Sequence, residues 1–248
     1  IEATEYLQKA FDINPRDKWV CENLSVLLAK SQKWEDAAKT LENLDSDLEL
    51  SSKRAGYLFK SGADPVITYQ IYSDCVPVVI SVLKHYLVTK NDVKVFDILN
   101  KTWKKLRYLG LIDVIFDQSK YDIKLALKRF KYVNKALKND LESDETKIAM
   151  SFAALQAKLW EKSRSYLVSI GKESIDSRVM RIWKELSEKS DRIKIPKISN
   201  KLAESPFWFC KSCNSKTENW AIHCNSCDSI GTIVWSKSIK IEKSRDLT

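Results

Sequence analysis

In several segments between Ala3 and Lys189, apolar side chains recur every three or four positions, which is the period of an amphipathic α-helix. One such stripe covers residues 3–11 and ends before Pro15, because proline cannot continue the helical hydrogen-bond ladder. Two more stripes, residues 19–28 and 34–44, lie on either side of the polar turn 31–33. Their spacing predicts two short helices joined in an α-helical hairpin of about 30 residues.

The same pattern returns twice further along the chain. Apolar stripes at residues 78–87 and 96–106 lie on either side of a polar turn, and a third pair falls within residues 148–170. One more amphipathic stripe covers residues 174–189 and predicts a helix that closes the series. The predicted fold class is therefore mainly α.

The hairpins follow one another at irregular offsets. Aligning Asp92 with Trp160 gives an offset of twice the roughly 34-residue period of tetratricopeptide repeats. Aligning Trp34 with Trp160 gives an offset that is not a multiple of that period. Connections of unequal length are therefore predicted.

Two segments resemble tetratricopeptide repeats: residues 2–10 with the following Asn14-Pro15, and Trp34-Glu35-Asp36-Ala37-Ala38. The resemblance implies an α-α superhelix of stacked hairpins, with small alanines at close helix contacts and a surface that binds partner proteins. An ordinary helical bundle with similar stripes is the alternative. Hairpins too small to bury their own apolar faces, recurring in order, favour the repeat array.

Four cysteines form two Cys-x-x-Cys motifs, Cys210 with Cys213 and Cys224 with Cys227, separated by residues 214–223. Two such turns can direct four thiolates at one tetrahedral ion, so the spacing predicts one structural zinc, in a zinc-ribbon or rubredoxin-like module. Iron is the alternative metal, because rubredoxins share the arrangement. A redox dithiol would need a βαβ setting, which the pattern lacks. Four thiolates leave no open position for water or substrate.

The remaining metal-ligating residues carry weaker signals. His223 adjoins Cys224, but the four-cysteine set is already complete, so a surface or packing role is predicted. Cys21 and Cys75 stand alone in helical segments and are predicted to be small thiols, buried or half-buried. The aromatic and aliphatic side chains around the motifs exceed what a module of about 30 residues can bury, so we expect it to dock on the helices.

The formal net charge of +9 favours contact with polyanions only where basic residues cluster. The densest basic stretch, residues 101–107, carries Trp103 and Leu106 at helical spacing, and acidic residues are interleaved throughout the chain. This pattern favours a solvated helix face. A nucleic-acid-binding zinc protein remains an alternative, which aromatic and basic side chains exposed together on the module would favour.

The elements Trp208-x-Cys210-x-x-Cys213, Trp220-x-x-x-Cys224-x-x-Cys227 and residues 230–235, preceded by helical repeats, resemble the C-terminal part of the bacterial HemY proteins. The LapB proteins, membrane-tethered repeat proteins with a rubredoxin-like knuckle, are a second match. Three residues depart from the usual knuckle: Asn225 replaces a frequent proline, and Asn214 and Asp228 replace frequent glycines. Asparagine and aspartate tolerate left-handed backbone, so we expect the turns to form.

The HemY resemblance implies a membrane-spanning segment before residue 1, a position at the cytoplasmic face of the bacterial inner membrane, and a role connected with haem biosynthesis. The LapB resemblance implies instead an adaptor that regulates envelope lipopolysaccharide synthesis. No run in the chain reaches the roughly 18 apolar residues that span a bilayer. The sequence shows no nucleophile–base pair, phosphate loop or evident small-molecule site, so a non-enzymatic role is predicted.

The predicted organisation has four parts. Residues 1–192 form the helical repeats, residues 193–206 a linker bounded by prolines, residues 207–236 the four-cysteine module, and residues 237–248 a polar tail. Function is expected to lie in protein partners that bind the helical surface.

Overall fold

The computed structural model describes residues 2–44, 46–117, 122–196 and 202–236. Within these ranges the chain is mainly helical, with twelve α-helices followed by three short β-strands, which confirms the predicted helical class. Contacts divide the chain into two compact units. One comprises the described residues up to Val82 together with Phe207–Ser236, and the other comprises the described residues from Leu83 to Pro206.

The first unit begins with five helices, and α6 runs across the division between the units. Their bounds are α1 Glu2–Ile13, α2 Lys18–Lys30, α3 Trp34–Thr40, α4 Leu48–Ser61, α5 Pro65–Ile71 and α6 Val76–Val88. Aspartates cap the starts of α2, α4 and α5, where the carboxylates of Asp17, Asp47 and Asp64 accept hydrogen bonds from first-turn amides. Helices α2, α3 and α4 pack around a shared apolar core.

The second unit contains the later helices of the described chain. These are α7 Asp92–Leu106, α8 Gly110–Asp117, α9 Ile123–Leu137, α10 Asp144–Gln156, α11 Trp160–Val168 and α12 Ser177–Lys189. Inside this unit the indole N–H of Trp103 donates to the Thr146 hydroxyl over 2.8 Å, and Thr146 donates to Asp140 over 2.6 Å. Arg107 also pairs with Asp140 at 2.9 Å, so a buried tryptophan is tied to an ion pair.

Three helix pairs are joined by the same turn. Gln32, Lys90 and Lys158 have φ angles of 59°, 56° and 56°, in the left-handed region, between α2 and α3, α6 and α7, and α10 and α11. In each turn the amide of this residue donates to the carbonyl three positions back, and the next amide donates to the carbonyl five positions back. The turns predicted at residues 31–33 and at Lys90-Asn91 are confirmed, and the third lies within the hairpin predicted for residues 148–170.

The strands β1 Trp208–Cys210, β2 Lys216–Thr217 and β3 Ile233–Trp235 form one antiparallel sheet in the order β2-β1-β3. Trp208 lies opposite Trp235, and their ring centroids are 5.2 Å apart. This sheet holds the two ends of the cysteine module together.

Four helices lie where no helix was predicted: α4, α5, α8 and α9. In the described parts of the predicted linker, residues 193–196 and 202–206, the chain has no helix or strand; Ile193 is buried, and the amide of Ala203 donates to the carbonyl of Ile175. The predicted tail, residues 237–248, lies outside the described residues. Among the residues that the structure describes, no helix combines the length and apolar character needed to cross a membrane.

Candidate metal centre

The first Cys-x-x-Cys motif forms a tight knuckle at the end of β1. The amide of Cys210 donates to the carbonyl of Ser215 over 3.0 Å, and the amide of Asn214 donates back to the Cys210 carbonyl over 2.8 Å. Asn214 has a φ of 59°, in the left-handed region. An asparagine adopts this conformation at lower cost than most residues, so the knuckle forms without glycine, as predicted.

The second motif, from Cys224 to Cys227, repeats this geometry. The amide of Cys224 donates to the carbonyl of Ser229, and the amide of Asp228 donates to the carbonyl of Cys224, both over 2.9 Å. Asp228 has a φ of 62°. The shared pattern is therefore Cys-x-x-Cys followed by Asn or Asp and then Ser.

The fold brings the sulfurs of Cys210, Cys213, Cys224 and Cys227 within 4.8 Å of one another. Two pairs across the knuckles, Cys210 with Cys227 and Cys213 with Cys224, are separated by 3.7 Å. Four thiolates at about 2.3 Å from one zinc ion would be about 3.8 Å apart in a tetrahedron. The arrangement therefore fits a four-thiolate metal site, in which Cys210 and Cys224 are buried and Cys213 and Cys227 are exposed.

Hydroxyl groups surround the buried sulfur of Cys210. This sulfur lies 3.1 Å from Thr232 Oγ1 and 3.4 Å from Ser229 Oγ, and it accepts the Ser212 amide over 3.4 Å. Burial raises the pKa of the Cys210 thiol, but these hydrogen bonds and the Cys213 amide outweigh it and lower the pKa to about 5. Cys210 is thus prepared to act as a thiolate ligand.

The pKa values of the two exposed thiols, Cys213 and Cys227, are shifted in opposite directions. The hydroxyl and amide of Ser215 lower the pKa of Cys213. At Cys227, hydrogen bonds from the hydroxyl and amide of Ser229 favour the thiolate, yet its own hydrogen bonds with the Cys213 and Cys210 sulfurs raise its pKa to about 11. A divalent cation bound here would favour all four thiolates, so its binding would release the protons that the thiols carry.

The module packs on helices of the same unit. Ile222 and Ile230, which precede and follow the second knuckle, are buried in one cluster with Leu28 of α2 and Tyr57 of α4. The ring of Trp220 contacts Phe59 of α4 edge to face, with centroids 5.6 Å apart. Docking therefore occurs as predicted, through Ile222 and Ile230 together with the aromatic ring of Trp220.

A glycine in the middle of α4 makes this approach possible. A β-carbon on Gly56 would lie 2.6 Å from Cδ1 of Ile222 and 3.9 Å from the Trp220 ring. Glycine inside a helix is about 0.5–1 kcal/mol less favourable than alanine. At Gly56 this cost is accepted because the absence of a side chain lets the knuckle approach the backbone of the helix.

Charged groups at the edge of this contact are paired. Lys30 lies 2.6 Å from Asp228, and the ammonium of Lys53 pairs with Glu22 of α2. His223 lies outside the sulfur group and is hydrogen-bonded to Asp228 over 2.5 Å, in agreement with a packing role. Lys30 and His223 both lower the pKa of the Asp228 carboxyl, and the effect of Lys30 is the larger.

The other residues singled out by the sequence lie away from the sulfur group. Cys21 and Cys75 are buried, as predicted, and burial raises the pKa of both thiols, that of Cys75 to about 12. Along α7, Trp103 and Leu106 face the core while Lys101 is exposed, as a solvated helix face requires.

Several residues that complete the site were not predicted from the sequence. Ser215 and Ser229, two positions after the second cysteine of each knuckle, lie 3.1 and 3.0 Å from the Cys213 and Cys227 sulfurs. Their repetition at the same position of both motifs was a signal available in the sequence. Gly56 carried no such signal, because its role depends on a segment far along the chain.

Fold and site together define a helical protein with a C-terminal group of four cysteines that could hold a metal ion. No family model matches the chain. It is similar to the probable magnetosome protein Mms48 of Magnetospirillum gryphiswaldense, with 29% identity over 108 residues, covering 39% of this chain and 23% of that protein. The chain thus matches about a quarter of the length of this relative.

Proposed function

We infer that this chain is a non-enzymatic scaffold in which tetratricopeptide-type hairpins bind protein partners and one structural zinc braces the helices. The observation that carries this proposal is the closed four-sulfur group, packed against α2 and α4. Four protein ligands occupy all the coordination positions of a tetrahedral zinc ion, so no position would remain for a substrate or an activated water. A site of this kind contributes to folding.

The repeated turn supports the tetratricopeptide assignment. The left-handed residues Lys90 and Lys158 are separated by twice the roughly 34-residue period of such repeats. Ala37 and Ala38 of α3 are fully or almost fully buried, which suits the close helix contacts of a stacked superhelix. Gln32 has the same turn but a different offset, in keeping with an irregular array.

A groove in the first unit is the surface that we assign to a protein partner. It has a volume of about 640 Å³ and is lined by Gln8 and Phe11 of α1 and by Lys33, Asp36 and Lys39 around α3. The lining combines charges of both signs with apolar side chains, which suits a polypeptide better than a polyanion. This composition favours a protein partner over nucleic acid.

The specific role that we propose follows the HemY-like knuckle. In this proposal the chain is the cytoplasmic part of a membrane-anchored bacterial protein, and it organises enzymes of haem biosynthesis. The similarity to a protein of Magnetospirillum supports a bacterial assignment. An adaptor that regulates lipopolysaccharide synthesis is the second candidate, because the knuckle also resembles that of LapB proteins.

Crosslinking of the parent protein in its native membrane, followed by mass spectrometry, tests the role. Recovery of haem-pathway enzymes would support it, whereas recovery of a protease or a lipid A enzyme would replace it with the adaptor role. Charge reversal in the groove, Lys39→Glu, should reduce the crosslinked yield. Lys101→Glu, on the exposed face of α7, provides a matched control that should leave the yield unchanged.

A further inference from the structure

The second knuckle is built into the helical core of the first unit. Ile222 and Ile230 are only 4% and 5% exposed, and they share one buried cluster with Cys21, Leu24 and Tyr57. Those three residues belong to α2 and α4. The core of these helices is therefore completed by side chains that come from the cysteine module.

The cysteines set the positions from which the two isoleucines pack against α2 and α4. His223 and Ile230 form an antiparallel bridge, and Cys224 and Cys227 lie in the loop that this bridge closes. In this described segment, regular structure around the loop is limited to that single bridge, and the remaining order comes from the knuckle's own backbone hydrogen bonds and the four-sulfur group. Small modules of this type fold when their metal binds, because binding and folding share one free energy.

Without the two isoleucines, the surface that they cover on the helices would be both apolar and exposed. On α4 it consists of Gly56, Tyr57 and Phe59, and on α2 it includes Leu28 and Ala29. The ion pair between an α2 lysine and the knuckle is exposed on both sides, so it adds little to the attachment. The buried side chains carry most of the contact.

We propose that metal binding at the four cysteines is coupled to the folding of α2 and α4, so that the metal-free chain loosens these helices as well as the module. The coupling rests on the metal site of the proposed function and extends its effect to α4 and to α2, whose Leu28 lines the groove. In repeat arrays each hairpin is stabilised by its neighbours. Here the knuckle acts as the neighbour of α2 and α4.

Hydrogen exchange measured by mass spectrometry on the whole chain tests this coupling, with zinc bound and after removal of zinc by a chelator. We expect exchange in residues 18–30 and 48–61 to accelerate at least about fivefold on zinc removal, together with residues 207–236. Peptides from α10 and α11 in the second unit should change by less than about twofold.

A variant that keeps all four cysteines tests the contact of Ile222 with α4 separately from metal binding. Ile222→Ala should retain one zinc per chain yet accelerate exchange in α4 at least about threefold with zinc bound. Ile13→Ala, at an isoleucine that is 86% exposed on α1, is the matched control and should leave exchange in α4 unchanged.

The outcomes distinguish the coupling from the metal centre. A chain that binds one zinc but changes only in residues 207–236 on zinc removal overturns the coupling and leaves the metal centre in place. Unaltered exchange in zinc-bound Ile222→Ala also overturns it. A chain that takes up no metal overturns both the metal centre and the coupling.

Discussion

Cδ1 of Ile222 lies 2.6 Å from the point that a β-carbon on Gly56 would occupy. These residues are far apart in the sequence, and their contact joins the cysteine module to α4. Every larger side chain at position 56 would therefore push against the module. The position offers a direct way to perturb docking without changing a cysteine.

Replacing Gly56 with leucine should destabilise the protein by about 1–3 kcal/mol, because overpacking a close contact outweighs the better helix propensity of leucine. Lys60→Leu, on the exposed end of the same helix, is the control and should change stability by less than about 0.5 kcal/mol. Urea unfolding followed by tryptophan fluorescence measures both. Equal stability of Gly56→Leu and the unmodified chain would contradict the contact.

The left-handed turn at Asn214 gives a second prediction. A β-branched residue is disfavoured at its φ of 59°, so Asn214→Val should destabilise the module by about 1–2 kcal/mol and weaken metal binding. Asn214→Gly places a permissive residue in the same turn and should bind metal at least as tightly as the unmodified chain. Competition with a chromogenic chelator compares the three proteins, and equal affinity of the valine and glycine variants would refute the prediction.

The helical hairpins were predictable because their apolar stripes follow the helical period. Helix α4 was not, because its buried face contains Ser51, Lys53 and Arg54, which break the apolar stripe. The two cations are buried beside carboxylates of Glu22 and Glu42, contacts that arise only once the helices have packed. Its boundaries were visible in Asp47 and Gly62, which cap its two ends.

The sulfur group was predictable because, unlike the buried face of α4, its geometry is set by residues that are close in the sequence. Two residues between cysteines set the knuckle geometry locally, so spacing alone identified all four side chains. The docking surface depends instead on contacts between α4 and the module across more than half of the chain, as between Gly56 and Ile222. A glycine in a helix is ordinarily unfavourable, and only the packed structure gives its reason.

The ion pair of Arg107 with Asp140 predicts a pH dependence. Partial burial raises the pKa of the Asp140 carboxyl, but hydrogen bonds from Arg107 and Thr146 outweigh it, so the pKa lies below its usual value. The native carboxyl then binds fewer protons than the unfolded one, and its contribution is present above about pH 4 and lost as pH falls through the native pKa.

Asp140→Asn should therefore destabilise the chain by about 1–2 kcal/mol at pH 7, and the difference should narrow below about pH 4. Urea unfolding at pH 7, 5, 4 and 3 measures this difference. Asp113→Asn, at an exposed position of α8, is the matched control. A difference between Asp140→Asn and the unmodified chain that stays constant down to pH 3 would show that the carboxylate charge is irrelevant.

Loss of one sulfur ligand should affect the two units unequally. Cys210→Ser is expected to unfold residues 207–236, seen as a fluorescence change of the module tryptophans, while far-ultraviolet circular dichroism keeps most of its helical signal. The reason is that the helices of the second unit have their own buried cores. Cys75→Ala removes a buried cysteine outside the knuckles and should leave the module folded. Global loss of helix in Cys210→Ser would show that the whole chain depends on the module.

We propose that Cys210, Cys213, Cys224 and Cys227 hold one structural zinc ion. Elemental analysis of the purified chain by mass spectrometry measures metal per protein directly, with Cys210→Ser combined with Cys224→Ser as the reference. We expect one equivalent of zinc in the unmodified chain and none in the double variant. A metal content far below one equivalent in the unmodified chain, or equal content in both proteins, would contradict it.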